Sequence, residues 1–354
     1  MNRWRLRLPT PYFLWSIVVT MVLAAVPFGA RRVQASVEAL PGASGTLWVT
    51  NTSTDNVAVF DAATGGLLAL IPTGYQSKPV GVVGPSGTEK VYVSAEGNNA
   101  VVVISKRSLE VIATIPTGPK PHHIGANPNG KFVYVAEFGT NKVGVIDTDT
   151  DTLIGEWVTS ESAQARTHAV NVTRDGKILL ATNSVANEIA ALNALTGERL
   201  WTLPVGTNPS EVLASHNGKR AYVSIRNEDM LQVIDLEEPA LLDAVYVGDQ
   251  PDTLQLSPNG SMVVIGLRGT PAQLATVNVG GDLSVEWVNI AGTTTGHNAL
   301  SANGRYSFIA IEGGTPGVAV IDHQSQQVVD MYQYPQGGKP HGVFYEPANP
   351  TFEQ

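Results

Sequence analysis

The 354-residue sequence contains no cysteine. This absence excludes disulfides, thiolate metal sites, a CxxCH attachment for c-type haem and a lipoprotein anchor. Charged residues make up only 15% of the chain and aromatic residues only 7%, whereas glycine (35) and proline (22) are frequent. This composition is typical of a turn-rich all-β protein.

Positive charge is also scarce. The formal net charge is −9, and it falls to −14 without the first 35 residues, which carry five arginines and no acidic residue. An acidic surface repels phosphate backbones, so we expect no nucleic-acid partner. The sequence has no GxSxG, HExxH or glycine-rich phosphate loop, and we therefore expect no nucleotide cofactor.

Long hydrophobic runs are confined to the N-terminus. Residues 1–35 have an arginine-rich start, an apolar run over 13–25 and small residues before Ser36, which predicts a cleaved signal peptide. The run is shorter than the roughly 20 residues of a membrane span. We expect a periplasmic or secreted protein with no stable membrane span after processing. Arg31 and Arg32 are unusual for a cleavage region, and an uncleaved N-terminal anchor is the alternative.

The chain does contain one motif seven times, 42 to 46 residues apart. Its clearest copy, PHHIGANPNGKFVYVAEFGTNKVGVID, has two short apolar segments joined by an Asn-Gly turn, then a polar loop and a VxVID segment. A period of this length with about four strands predicts a β-propeller, because one small sheet cannot bury both of its faces alone. The motif opens at Pro79, Pro121, Thr167, Pro209, Pro251, Gly296 and Pro340.

Each repeat divides into four strands, which we name a to d from the channel outward. Residues 47–74 supply only strands b, c and d, and the missing strand a recurs at the C-terminus as PHGVFYEP. We therefore predict an all-β, seven-bladed propeller of four-stranded blades, its first blade closed by the C-terminal strand. The expected boundaries are the signal peptide 1–35, an N-terminal extension 36–45, the propeller 46–347 and a C-terminal tail 348–354.

The repeats resemble those of YVTN-type seven-bladed propellers, within the superfamily of lactonase-like and surface-layer-like propellers. The resemblance is carried by VYVSAEGNNAVVVI, VYVAEFGTNKVGVID and LWVTNTSTDNVAVFD, and it extends over nearly all of residues 45–347. It implies the propeller fold. Such propellers include sugar lactonases, surface-layer proteins, redox-enzyme subunits and metal-handling proteins, so the resemblance selects no single function.

Histidines concentrate at the end of the ring where the d–a and b–c loops meet. Aligning the repeats at the start of strand a brings together Val80, His122, His168, Ser210, Asp252, His297 and His341. Four converging imidazoles can ligate Zn or Cu, act as acid or base, or meet an anion. The alternative is that the Pro-His pair is an inherited feature of the repeat, in which the imidazole bonds a neighbouring loop.

Residues at the end of strand b are expected on the same face: Asn51, Glu96, Glu137, Asn183, Arg226, Arg268 and Glu312. Lys78, Lys120 and Lys339 precede strand-a prolines, and Arg166 stands two residues before His168. The predicted ligand-binding residues are His122, His168, His297, His341, Glu137, Arg166, Arg226 and Arg268. The predicted metal ligands are the four histidines and Glu137, which offer the ligand types of a Zn or Cu site.

Three functions remain open at this point. The first is non-catalytic binding of a small molecule, metal ion or periplasmic protein, which the absence of a known catalytic motif favours. The second is a metal-dependent enzyme or metal carrier that uses the histidines. The third is a lactonase or lyase acting on an anionic sugar or lactone, with histidine as acid or base and arginine as anion clamp.

Overall fold

The computed structural model describes residues 39–334 and 337–348. The predicted signal peptide, its cleavage site and the last six residues of the predicted tail lie outside the described residues. Within the described part, no helix is long and apolar enough to cross a membrane.

The described chain forms seven antiparallel four-stranded sheets, which are the blades of a propeller. Each inner strand contacts the inner strand of the next blade, and the last of them contacts the first, so the blades form a closed ring. The inner strands (strand a) are β4 Pro79–Val83, β8 Pro121–Ala126, β12 Thr167–Val172, β16 Pro209–Ala214, β20 Pro251–Leu256, β24 Thr295–Leu300 and β28 Pro340–Pro347.

The two middle strands of each blade are almost fully buried, because a neighbouring blade covers each face of the sheet. The strands b are β1 Gly45–Asn51, β5 Lys90–Ala95, β9 Phe132–Glu137, β13 Ile178–Asn183, β17 Arg220–Ile225, β21 Met262–Leu267 and β25 Tyr306–Ile311. The strands c are β2 Asn56–Asp61, β6 Ala100–Ser105, β10 Lys142–Asp147, β14 Glu188–Asn193, β18 Met230–Asp235, β22 Gln273–Asn278 and β26 Gly317–Asp322.

The outer strands are the most exposed strands of the blades, and β11 and β15 alternate between half-buried and exposed residues. The strands d are β3 Leu67–Pro72, β7 Val111–Pro116, β11 Thr152–Val158, β15 Arg199–Pro204, β19 Ala240–Tyr246, β23 Val285–Asn289 and β27 Gln327–Gln333. A single helical turn of the 3-10 type, Glu96–Asn98, follows β5.

The predicted closure of the ring is confirmed. Strand β28 pairs antiparallel with β1, so the first blade has the order β28-β1-β2-β3. The predicted turn chemistry is confirmed as well: Gly130 of the Asn129-Gly130 pair has a φ of 73°. At the c–d turns the Asx side chains bond the backbone, as Asp147 Oδ1 does by accepting from the N–H groups of Asp149 and Thr150.

Candidate functional site: the bulged end of the central channel

Every inner strand carries a one-residue β-bulge at its start. In β8, Pro121 pairs with Glu137 but the next pair is Ile124 with Val135, so two residues of β8 stand against one of β9. The same shift occurs in the other six inner strands. A bulge breaks the alternation of side chains and re-aims them. The second and third residues of each inner strand can therefore both face the channel.

Five histidines meet at this end of the channel. The stacked rings of His122 and His123 have centroids 4.8 Å apart, and His168 lies 4.6 Å from His122 and 4.7 Å from His123. His297 lies 4.3 Å from His123 and 4.8 Å from His341. The predicted convergence of His122, His168, His297 and His341 is thus present, with His123 added to it.

Two of the rings are held by hydrogen bonds from Nδ1. His168 Nδ1 donates to the carbonyl oxygen of Ser210 over 2.8 Å, and His341 Nδ1 donates to Glu312 Oε1 over 2.5 Å. In the neutral form of either ring, the Nδ1–H tautomer leaves the free lone pair on Nε2. Nδ1 of His122 and Nε2 of His297 are buried and have no hydrogen-bond partner among the described residues.

Two buried carboxylates and two arginines form an ion-pair network beside the histidines. Arg268 bridges the carboxylates: its guanidinium lies 3.2 Å from Asp252 Oδ2 and 2.8 Å from Glu312 Oε2. Arg226 donates to Asp252 as well, and Lys339 Nζ lies 3.2 Å from Glu312 Oε2. The exposed fraction of Asp252 is 2%, so this charge is kept in the interior by its partners.

The surroundings fix the charge states of these groups. Burial lowers the pKa of His168 to about 4, assisted by Arg226, and that of His297 to about 3, assisted by His341. Burial and the neighbouring imidazoles hold the pKa values of His122 and His123 well below the usual range. At neutral pH these four imidazoles are uncharged, with nitrogen lone pairs available.

The pKa values of the two carboxylates change in the direction opposite to the one that burial alone would give. Burial would raise the pKa of Asp252, but Arg226 and Arg268 outweigh it and hold that pKa well below its usual range. For Glu312 the hydrogen bond from His341 and the charge of Arg268 outweigh burial and lower the pKa to about 2. Both groups are therefore anions at neutral pH.

A cavity of about 360 Å³ opens at this end of the channel, and we call it the mouth cavity. Its wall contains three of the histidines and four cations. It is lined by Thr52, Lys78, Val80, Glu96, His122, Phe138, His168, Arg226, Asp252, Arg268, Lys339 and His341. The predicted site residues His122, His168, His341, Arg226 and Arg268 are among them.

The sequence alignment of the blade formed by β24 to β27 was wrong by one residue. Thr295, not Gly296, pairs with Ile311 as the strand-a prolines pair with their own strand b. His297 therefore occupies the third position of its strand, the position of His123, and Gly296 occupies the second. The bulge nonetheless brings His297 to the histidine cluster. The four predicted histidines therefore meet although the alignment of this blade was shifted by one residue.

Glu137 was also assigned to the wrong register. Glu137 pairs with Pro121, so the equivalent of Arg226 in this blade is the next residue, Phe138. Asn51 and Asn183 stand at the same earlier position as Glu137. A one-residue slip moves a side chain to the other face of a strand. The Glu137 carboxylate accepts from the Gly118 N–H over 3.1 Å and is not part of the mouth cavity wall, so the structure does not bring it to the cavity with His122.

Two predicted cations do not reach the cavity wall. The guanidinium of Arg166 lies over the ring of Phe138, 5.5 Å from its centroid, and Phe138 in turn lines the cavity. Lys120 is likewise absent from the wall, whereas Lys78 and Lys339 are part of it. Arg166 therefore contacts a residue of the cavity wall without being part of the wall itself.

Three residues were missed as part of the cluster. His123 and Glu211 occupy the third position of their strands, and His123 Nδ1 lies 4.0 Å from Glu211 Oε1. Burial raises the pKa of Glu211 to about 8, so its carboxyl is largely protonated at neutral pH. Phe138 was hidden by the register error at Glu137. The repeated Pro at the strand start is the only sequence signal near the bulge, and it does not reveal the extra residue.

Comparisons with known proteins agree with the fold. The family model "Lactonase, 7-bladed beta-propeller" matches residues 46–193. Antigen Lp49 of Leptospira interrogans is 26% identical over 227 residues, which are 61% of this chain and 49% of the relative. The chain thus spans about half the length of that curated relative.

Solved structures resemble nearly the whole propeller. A hydrazine synthase chain of Kuenenia stuttgartiensis matches with a TM-score of 0.70 and 19% identity over 83% of this chain and 98% of that one. The periplasmic gluconolactonase PpgL of Pseudomonas aeruginosa matches with a TM-score of 0.69 and 20% identity over 86% of this chain and 99% of that one. Repeat and fold together show a seven-bladed β-propeller, and the family match shows that residues 46–193 are similar to the lactonase propellers.

Proposed function

We propose that this chain is a binding propeller that holds a small organic anion in its mouth cavity. The observation that carries the proposal is the cavity wall itself: four cationic side chains and only two carboxylates line about 360 Å³ within an otherwise acidic protein. A concave site with convergent polar groups is the usual form of a small-molecule site. Attraction between the wall and an anion follows from its excess of positive charge.

The cations differ in how free they are to meet a ligand. The charges of Arg226 and Arg268 are compensated by Asp252 and Glu312, so these arginines offer hydrogen bonds more than net charge. Lys78 has no ion-pair partner within 4.0 Å among the described residues and stands at the exposed rim. We assign Lys78 the main role in attracting the anion, with the neutral histidines as hydrogen-bonding groups below it.

Calorimetry with gluconate as the probe tests this proposal. Lys78→Gln should weaken binding about 3–10-fold, and raising the salt concentration should weaken binding to the parent protein, because exposed charge pairs are screened. Lys177→Gln is the matched control, since it removes the same charge from an exposed position outside the mouth cavity. Equal affinities of the parent and Lys78→Gln, or no saturable binding of gluconate or of other small carboxylates, would contradict the proposal.

Lactone hydrolysis is a second candidate function, favoured by the hydrogen bond between His341 and Glu312. With Nδ1–H donated to the carboxylate, Nε2 of His341 can take a proton from water as that water adds to a lactone carbonyl. The ring C–O bond then breaks, the proton passes to the released ring oxygen, and the product is a hydroxy acid. Its carboxylate is the kind of anion that the cavity wall suits. The related propeller PpgL is described as a gluconolactonase.

A pH-stat assay with glucono-1,5-lactone separates binding from hydrolysis. A lactonase should exceed spontaneous hydrolysis, and His341→Ala should lower the enzymatic rate about 10²–10⁴-fold, the usual contribution of a general base. Hydrolysis no faster than in buffer, with gluconate still bound, would leave the chain as a binding protein only.

We also propose a periplasmic or secreted location, which rests on the arginine-rich start, the apolar run over 13–25 and the small residues before Ser36. N-terminal sequencing of protein from the native host should give Ser36 or a neighbouring residue. An intact Met1 in the membrane fraction would instead support the uncleaved anchor.

A further inference from the structure

Three of the five clustered histidines have the spacing of a metal site. His122, His123 and His341 each present one ring nitrogen so that no two of these atoms are more than 4.8 Å apart. We propose that these three residues, the histidine triad, bind one divalent transition-metal ion, Zn²⁺ or Cu²⁺, at the inner side of the mouth cavity. This site goes beyond anion binding and does not depend on it.

The three nitrogen atoms are close to the separation that a metal ion requires. If all three separations were 4.8 Å, the centre of the triangle would lie about 2.8 Å (4.8 Å divided by √3) from each nitrogen. Zn–N bonds are about 2.0–2.1 Å long, so each nitrogen would have to move inward by only about 0.7 Å. Rotation about the side-chain torsions supplies this movement, and the rings of His122 and His123, which are stacked with 12° between their planes, must also tilt toward each other because a nitrogen lone pair lies in the plane of its ring.

The chemical state of the rings suits a metal. Imidazoles bind metals when neutral, and burial disfavours the charged form of His122 and His123. Nδ1 of His122 is buried and lacks a hydrogen-bond partner among the described residues, which is costly unless a ligand satisfies it. His123 is 4% exposed and therefore pre-positioned by packing.

Outer groups orient the triad as they do in known metal sites. His341 donates Nδ1–H to Glu312, and Glu312 is itself held by Arg268 and Lys339. A carboxylate that fixes the tautomer of a ligating histidine leaves Nε2 for the metal and raises its basicity. The repeat supplies this carboxylate from the residue after strand b of the neighbouring blade.

The local charge can accommodate a dication despite the nearby arginines. Arg226 and Arg268 are paired with Asp252 and Glu312, so their net effect on the cluster is small. Glu96 Oε2 also lies 3.9 Å from His122 Nε2 and faces the same cavity. Glu96 is therefore the carboxylate beside the triad whose charge is not already paired with an arginine, and it offsets part of the charge of the ion.

The access to the triad is from the mouth cavity. His122 and His341 are part of the cavity wall, whereas His123 lies behind it. An ion held by all three would thus be reached from solvent through the cavity. An all-imidazole set suits Zn²⁺, Cu²⁺ and Ni²⁺ better than Mg²⁺ or Ca²⁺, and Cu²⁺ should bind more tightly than Zn²⁺.

Titration of the full chain, purified without a histidine tag, with ZnCl₂ and separately with CuCl₂ tests the proposal. Calorimetry should give one ion per chain, and the electron paramagnetic resonance spectrum of the Cu²⁺ form should show coupling to nitrogen. His123→Ala should weaken binding at least about 10–100-fold, since even outer-shell changes cost that much. His216→Ala is the matched control, because His216 is outside both the triad and the mouth cavity.

Folding of the variants is checked independently by their melting temperatures without metal. If His123→Ala does not fold, His123→Asn keeps a polar side chain of similar reach at the same place. Zn²⁺ should raise the melting temperature of the parent and of His216→Ala but not that of a folded triad variant, because only a binding-competent native state is stabilised. Three results would overturn the proposal: no saturable binding of either metal, one-site binding that survives in the triad variants, or an equal loss in His216→Ala.

Discussion

The two ends of the inner strands differ although the same seven strands build both. At the bulged end the channel is lined by histidines, arginines and carboxylates. At the far end the strands line a cavity of about 420 Å³ with mainly aliphatic side chains, among them Leu213, Leu256, Leu300 and Val343. One chain segment thus changes from polar to apolar character within about six residues.

The bulge accounts for this difference. Beyond it the inner strand alternates regularly, and its side chains must pack against the adjacent blades. Within it the second and third residues are released from the regular ladder and turn toward the channel. Polar side chains at the bulge do not disturb the core of a blade. Histidines, arginines and carboxylates can therefore occur there while the rest of the repeat stays uniform.

Deletion of strand β28, which contributes residues to both ends of the channel, should have the largest effect on stability. Strand β28 brings His341 to the bulged end and Val343 and Phe344 to the far end, and it completes the first blade. Deletion of residues 338–354 should open the ring and expose strand edges. We expect that the truncated chain is no longer soluble or no longer unfolds cooperatively. Thermal unfolding followed by circular dichroism measures this. A truncated chain that melts like the intact one would refute the closure.

A substitution beyond the bulge should affect stability without affecting binding. Leu254 of β20 is 1% exposed and packs in an inter-blade core with Val263 and Ile265. Leu254→Ala should lower the free energy of unfolding by about 2–5 kcal/mol through lost burial and a residual cavity. Urea denaturation measures this loss.

The same comparison gives a control at the bulged end. His123→Ala should cost less stability than Leu254→Ala while weakening metal binding at least about 10–100-fold. The stability cost is smaller because burying a polar imidazole offsets part of what its packing contributes. Equal stability losses in the two variants would mean that the bulge residues also serve the core.

The fold could be predicted from the sequence because its signals are repeated. Each blade again supplies the apolar strands b and c and a turn between strands a and b, and all but one supply an Asx at the c–d turn, so an error in one blade is corrected by the others. The site lacks this protection, because each blade contributes a different residue. His297 and Glu137 were each displaced by one residue, and one residue decides which way a side chain points.

His123 was missed for a different physical reason. Regular alternation would turn it away from the channel if His122 faces the channel, and only the bulge lets both face the same way. No residue type in the inner strand indicates that a bulge is present. The bulge is defined by the pairing of strands a and b, which is a property of the assembled blade.

Glu137 provides a pH-dependent test of the corrected register. Burial, reinforced by Glu156, raises the pKa of Glu137 to about 7 from an ordinary value of 4.5. The native state therefore holds a proton that the unfolded state has lost between these two pH values, and stability declines as the pH rises through that window. Glu137→Gln mimics the protonated group and should remove this decline.

The expected effect is on the order of 1–3 kcal/mol, because one pKa unit corresponds to about 1.4 kcal/mol. Urea denaturation of the parent and of Glu137→Gln at pH 5 and pH 8.5 measures it, and Lys142 and Glu156 are left unchanged in both proteins. Zn²⁺ binding should be the same in the two, in contrast to His123→Ala. A variant that is no more stable than the parent at pH 8.5 would contradict the assignment of Glu137 to a buried, non-ligating position.

The smallest effect is expected at Arg166, the predicted anion ligand that the structure places over Phe138. The side chain is exposed, and a cation over an aromatic ring at an exposed site contributes about 0.5–1 kcal/mol. Arg166→Ala should lower stability by that amount and Arg166→Lys by less, because a lysine keeps the charge but not the planar stacking. Gluconate affinity should stay within about twofold of the parent in both variants, since Lys78 rather than Arg166 stands on the cavity wall. If Arg166→Ala lost as much gluconate affinity as Lys78→Gln does, Arg166 would be a ligand of the anion, and the Phe138 ring would serve to position its guanidinium.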